Sequence, residues 1–212
     1  MASESSSKPS SSITEFPTRP GPSPLPNIDW ISNKGRYYAF KPKLPDANDD
    51  DTQDILEFEA TGTLTRAFLQ AGAKSHTIIA NIGRSEIDRI KSIIRSVPNF
   101  QERGYRWPFD GMDAKFTSKE NLEDPYEDIW DARHINLHDI DARLPLSADD
   151  LEEGCKVFVE YTISPYSGKK ATPNVEGFNA GATLQLLSVG LLGRSDRRFD
   201  FESPRKKRRM AS

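Results

Sequence analysis

The stretch from Ala182 to Leu192, "ATLQLLSVGLL", is apolar on both faces of an extended chain. A strand of that kind belongs inside a sheet and is covered twice, so this chain folds around a central strand with neighbours on either side. The segment just before it supplies one neighbour. Over 155–165, Cys155, Val157, Val159, Tyr161 and Ile163 share one face, while Phe158 and Thr162 lie on the other. A polar loop from Pro165 to Gly181 joins the two strands.

The same period of two recurs earlier. Leu56, Phe58, Ala60, Gly62 and Leu64 alternate with Glu57, Glu59, Thr61, Thr63 and Thr65, which predicts a half-buried strand over 55–66. Shorter strands are expected over 37–43, 76–82 and 134–141, the last from Ile135, Leu137 and Ile140. One helix stands out in "SEIDRIKSIIRSVP": Ile87, Ile90, Ile93, Ile94 and Val97 fall at helical spacing, with Ser85 as N-cap and Pro98 as the stop. "SADDLEEG" reads as a capped helical turn ended by Gly154, and Asp110-Gly111 as a tight turn.

Six strands and one packed helix point to a mainly β, antiparallel fold. Closure into a small barrel removes exposed edges, and the oligonucleotide-binding barrel is the common form at this size; a β-sandwich is the alternative. The Ser- and Pro-rich 1–28 and the basic 194–212 are too polar to join a core and are expected to be disordered tails around a barrel domain at 29–193.

Charge is segregated. The formal net charge is -3, yet 46–59 holds seven acidic residues and no basic one, and 194–209 holds eight basic against three acidic, a local +5 that leaves the remainder at -8. Nucleic-acid contact by the folded part therefore needs a local patch, and the 46–59 acids are expected to point away from it. A lone cysteine, Cys155, excludes an intramolecular disulfide and a cysteine-built zinc site. No membrane span or signal-peptide core is legible, so a soluble, cytosol-made protein without membrane contact is expected.

Catalytic signatures are poor: there is no glycine-rich phosphate loop and no nucleophile elbow. His134 and His138, four apart, sit in strand-like sequence without a telling third ligand, and Asp110, Asp113, Asp128 and Asp131 sit in turn-rich sequence where aspartate serves local hydrogen bonds. No enzyme, cofactor or metal is expected.

Binding chemistry is better represented, because single strands are held by aromatic faces that stack on bases and by cations that follow phosphates. The two types interleave in three places. Lys34, Arg36, Lys41 and Lys43 flank Tyr37, Tyr38 and Phe40; Arg103 and Arg106 flank Tyr105, Trp107 and Phe109; Tyr166, Lys169, Lys170 and Phe178 occupy the loop after 155–165. The candidate contact set is Arg36, Tyr37, Tyr38, Lys41, Arg103, Arg106, Trp107, Tyr166, Lys169, Lys170 and Phe178. Each has a structural alternative, Trp107 beside Pro108 as core or lid above all.

"LEEGCKVFVEYTISPY" followed by "GFNAGATLQLLSVGLL" resembles the closing strands of the phage T7-type single-stranded DNA-binding proteins with an oligonucleotide-binding fold. Gly154, Val157, Val159, Tyr166, Gly177, Gly181, Leu184 and Val189 fit that outline, and "WPFDGMDAKF" is similar to the family's Asp-Gly turn after the helix. The resemblance spans 105–192 and implies non-catalytic, largely sequence-independent binding of single-stranded DNA, with RNA open. Where that family carries an acidic tail that recruits replication partners, this chain ends in "SPRKKRRMAS".

Arg205, Lys206, Lys207, Arg208 and Arg209 after Pro204 form a run that fits a nuclear-import signal read by an import receptor; a nonspecific DNA-binding arm is the alternative. Ser203, in a Ser-Pro-x-Lys setting, is a candidate phosphosite beside it. The expectation is a nuclear protein of DNA replication, repair or mobile-element biology, with homo-oligomerisation open. The rivals are a nuclear protein-interaction module, a capsid-like structural protein and a metal-dependent nuclease.

Overall fold

The computed structural model describes residues 26–43, 53–166 and 180–194. In chain order these form β1 (Asp29–Asn33), β2 (Arg36–Phe40), β3 (Phe58–Phe68), β4 (His76–Asn81), α1 (Arg84–Arg95), β5 (Phe109–Asp110), β6 (Asp113–Ser118), β7 (Ile129–Asp131), β8 (Leu144–Pro145), β9 (Lys156–Tyr166) and β10 (Gly181–Gly193). The fold is mainly strand, with one α-helix among the described residues.

Five strands close a circuit. β9 pairs β3, β3 pairs β4, β4 pairs β6, β6 pairs β10, and β10 pairs β9 again. A ring with an odd number of strands cannot be antiparallel at every step, and the one parallel step in this ring is β6 beside β10. The sheet is mainly antiparallel, as expected, with parallel steps added; β7, which continues the edge of β10 beyond β6, is parallel to it as well. β10 is central as its two-faced apolar sequence required: Leu184 lies opposite Phe116 and Val189 opposite Ile129, while β9 covers the other edge along its length.

Alternation sets the inside. Phe58, Ala60 and Leu64 of β3, and Val157, Val159, Tyr161 and Ile163 of β9, are buried in one core with Ile78, Phe116 and Leu184. A bulge between Leu64 and Arg66 inserts one residue and flips the parity, so that Ala67 and Leu69 then face inward. β10 does the same between Leu186 and Ser188, and the hydroxyl of Tyr126 donates to the displaced carbonyl of Leu187 at 2.6 Å. Ile87, Ile90, Ile93 and Ile94 of α1 are buried in this core, each worth roughly 1.5–3 kcal/mol of transfer free energy. Cys155 is a free, buried thiol.

Two expectations fail locally. α1 starts at Arg84 after Gly83, whose φ is 77°, and has no side-chain cap, so Ser85 lies inside the first turn. No strand forms over 134–141. Ile135 and Leu137 instead pack on a second small core of Trp130, Ala132 and Phe158, and the ladder passes to β7 and β8, which pair with each other. The Ser147 cap appears as read, with reciprocal Ser147 and Asp150 hydrogen bonds, but the 3-10 turn it opens is short, Ala148–Asp150, and closes at Leu151 rather than at Gly154.

Candidate nucleic-acid interface

Three segments far apart in sequence meet where the β9–β10 hairpin opens. Arg36 of β2 pairs with Tyr166 of β9, Tyr166 pairs with Gly181 of β10, and Gly181 bridges to Arg106. The Arg106 amide donates to the Ala180 carbonyl at 2.9 Å, and the Ala182 amide donates to the Arg106 carbonyl at 3.3 Å. The result is a four-rung ladder, Arg36–Tyr166–Gly181–Arg106, with a cation at each end. Glycine is required on the third rung: a Cβ there would lie 2.6 Å from the Tyr166 hydroxyl and 2.9 Å from the Arg106 carbonyl oxygen.

On one side of this ladder lies an apolar cleft of about 230 Å³, walled by Tyr37, Val97, Pro98, Asn99, Phe100, Gln101, Tyr105, Pro165, Tyr166 and Ala180. The end of α1 builds its floor. Ser96 closes the helix, and Asn99 takes a left-handed φ of 60°, which asparagine tolerates better than most residues; the Phe100 amide then donates to the Val97 carbonyl. Phe100 and Tyr105 meet edge to face at 4.9 Å, and Tyr105 and Trp107 lie 4.9 Å apart. The Tyr105 hydroxyl is buried without a hydrogen-bond partner. Burial, and then the neighbouring Tyr166, push its pKa well above the ordinary tyrosine value, so it stays a neutral donor.

On the other side is a polar groove of about 190 Å³, lined by Arg36, Thr117, Lys119, Glu120, Ser164, Thr183 and Gln185. The register explains it: Thr183 lies opposite Ser164, and Gln185 opposite both Thr162 and Thr117. Hydroxyl and amide side chains therefore form a row across β9, β10 and β6, between Arg36 and Lys119. The Ser164 hydroxyl is buried and unpartnered. Arg36 and Tyr37, adjacent on β2, reach opposite sides of the ladder.

The expected contact residues divide accordingly. Arg36, Tyr37, Arg106 and Tyr166 are brought together. Trp107 is a half-buried lid packed against the core, with Lys91 Nζ and Arg95 Cζ 5.9 and 5.6 Å from its ring centre. Tyr38 lies opposite Ile31 in the β1–β2 hairpin, outside the cleft lining. Lys41 lies beyond β2 in an ion pair with Asp54 at 3.4 Å, which offsets its charge. Arg103 is exposed on the loop before Tyr105 and does not line the cleft. Lys169, Lys170 and Phe178 lie outside the described residues, as do Ser203 and Arg205, Lys206, Lys207, Arg208 and Arg209.

Of the acidic stretch, Glu59 is within 3.5 Å of His138, away from the ladder. Asp110 and Asp113 face each other across the β5–β6 hairpin, and Asp131 accepts from Arg133. Among the described residues no group of three or more His, Cys, Asp or Glu side chains is placed to hold a metal ion, and no helix is long and apolar enough to cross a membrane. The sequence reading missed Asn99, Phe100 and Pro165. Pro98 was legible only as a helix stop, though the aromatic two residues after it was a usable signal.

No protein-family model matches the chain, and no curated protein matches it. Among solved structures the chain is similar to the crystal structure of gp2.5, a single-stranded DNA binding protein encoded by bacteriophage T7. The match has a TM-score of 0.41 and 16 % identity, and covers 68 % of this chain and 96 % of that one; it is a weak, fold-level resemblance.

Proposed function

We propose that this chain binds single-stranded DNA, without catalysis and largely without regard to sequence, at the mouth of the β9–β10 hairpin. The observation that carries this reading is the ladder Arg36–Tyr166–Gly181–Arg106 between an aromatic cleft and a polar groove. A base fits the cleft, stacked among Tyr37, Tyr105 and Tyr166, with the Tyr105 hydroxyl free to donate to a base acceptor. The backbone follows Arg36, Arg106 and the hydroxyl row, while Glu120 at the end of the groove turns phosphates away. Stacking of this kind contributes about 1–3 kcal/mol per base and tolerates any base.

In the same reading the barrel spans 29–193. The run from Arg205 to Arg209 is an import signal for a nuclear import receptor, and the setting is nuclear replication, repair or mobile-element biology. Phosphate on Ser203 would place about -1.5 to -2 of charge beside that run and weaken its contacts; an unchanged nuclear fraction for Ser203→Asp would count against this.

The test is fluorescence anisotropy of labelled single-stranded DNA, double-stranded DNA and RNA across a salt series, with the full chain and with Tyr166→Ala. Tight, salt-sensitive binding of the single strand that weakens in the variant supports the proposal. Binding that ignores Tyr166 and vanishes with the basic run replaced would move the activity to the tail.

One observation favours a second reading: among the described residues no lysine or arginine lines the cleft itself. A short apolar peptide segment would fit it, and the chain would then be a protein-interaction module. Displacement of DNA by such a peptide, or peptide binding without DNA binding, separates the two.

A further inference from the structure

A cavity of about 320 Å³ lies between the start of β4, the end of β6 and the segment leading into β7. His76, Ser118, Glu120, Tyr126, Glu127 and Asp128 are among its lining residues. Acceptors predominate in its lining: the carboxylates of Glu120, Glu127 and Asp128 stand with Ser118, whose hydroxyl accepts from the Glu120 amide at 3.3 Å, and the Asn121 side-chain amide is the exception, bringing donors as well. The Tyr126 hydroxyl donates to the Leu187 carbonyl at 2.6 Å. His76 is 1 % exposed, and its Nε2 lies 3.3 Å from the Asn121 carbonyl, which can only accept. Nε2 therefore donates to that carbonyl, and Nδ1 is buried without a hydrogen-bond partner among the described residues. Among the described residues none of Glu120, Glu127 and Asp128 is ion-paired.

We propose that this cavity takes the guanidinium group of an arginine side chain presented by a partner peptide. A guanidinium carries five donors in one plane and can satisfy several acceptors together, which a compact ammonium does less well. The His76 and Tyr126 rings, 5.5 Å apart and tilted against each other, form part of the cavity wall. The Tyr126 hydroxyl is pushed up first by burial and then by Asp128 and Glu120, consistent with a negative local field. Glu127 and Asp128 are exposed, so a peptide backbone can reach them from solvent. Phosphate is repelled here, which separates this site from the proposed DNA path. Among the described residues no lysine or arginine lines the cavity, and the nearby Lys119 belongs to the adjoining groove.

The test uses the full chain with Arg205, Lys206, Lys207, Arg208 and Arg209 replaced by alanine, so that its own cations do not compete. Capped pentapeptides, Ala-Ala-X-Ala-Ala with X as arginine, lysine or citrulline, and spermidine are titrated while the His76 and Tyr126 side-chain resonances are followed. The arginine peptide should bind about fivefold more tightly than the lysine peptide or spermidine, and the neutral citrulline peptide should produce no saturable shift. The Glu127→Gln, Asp128→Asn double variant should weaken the arginine peptide about tenfold with unchanged thermal unfolding. Equal binding of lysine or spermidine, indifference to the double variant, or no saturable shift at His76 would each overturn the proposal.

Discussion

The surroundings of Trp130 and the ladder Arg36–Tyr166–Gly181–Arg106 each bring an aromatic ring together with arginine, with opposite outcomes. Trp130 is 4 % exposed and donates to Ser188 Oγ at 3.1 Å, and Arg143 Cζ lies 4.2 Å from its ring centre. The Arg143 guanidinium in turn grips both oxygens of Glu160, at 2.8 and 2.6 Å, and Ser188 donates to the same carboxylate. Every charge in that group is answered from within the chain. At the ladder Arg36 and Arg106 have no carboxylate partner among the described residues, and nearby Trp107 has its own arginine, Arg95, at 5.6 Å and paired with Glu102. Glu160 and Tyr166 are six residues apart on one strand, so β9 carries a closed polar network at one point and an open one at another. Arg143 Nε is itself buried without a hydrogen-bond partner among the described residues, so what separates the two regions is whether the chain pairs its own charges.

The largest effect should come from breaking the closed end. Arg143→Ala leaves a half-buried Glu160 without its cation and uncovers Trp130; unfolding in urea should show a loss of about 2–4 kcal/mol, with DNA affinity little changed. The open end should respond in the reverse way. Tyr166→Ala should lower single-strand affinity about thirtyfold, the middle of the stacking range, with a smaller change in stability, read by anisotropy and urea titration together. Arg36→Ala and Arg106→Ala should each reduce the slope of log affinity against log salt by about 0.7, measured from 50 to 300 mM salt, roughly the range over which counterion release is read. A variant that lost stability and not slope would move that arginine into the closed class.

The smallest effect is one of pH. Burial pushes the Glu160 carboxyl up, but the hydrogen bonds from Arg143 and Ser188 outweigh it and leave its pKa below the ordinary 4.5. A carboxylate depressed in the folded state adds stability above its unfolded value and loses it as pH falls through that value to the folded one. Wild type should therefore lose stability below about pH 4.5 more steeply than Arg143→Ala, as followed by thermal melts at pH 3 to 6, roughly the range that brackets carboxylate titration.

The legible part of the fold was the part with a period. β3, β9, β10 and the isoleucine stripe of α1 each repeat long enough for alternation or helical spacing to fix which face is buried. β7 is Ile-Trp-Asp and β8 is Leu-Pro, too short for any period to show. Ile135 and Leu137 alternate as a strand would, but their apolar side chains are satisfied by packing on Trp130 and Phe158 without ladder pairing. At the site, aromatic and basic residue types marked the three segments, because stacking and phosphate contact need those types. Which of them meet was set by register: Arg36 reaches the ladder because it lies opposite Tyr166, whereas Lys41, five residues on, reaches Asp54.

The closed ring also governs how the chain comes to be folded. Its closing pair joins Phe58–Thr63 of β3 to Lys156–Tyr161 of β9, about a hundred residues later, so loop-closure entropy is lost before that ladder contributes anything. β3, β4 and α1 can form early from local contacts, but β3 keeps one edge unpaired until β9 arrives. During synthesis the amino-terminal half therefore passes through a period with an exposed strand edge, and its survival depends on how quickly the last two strands follow it out of the ribosome.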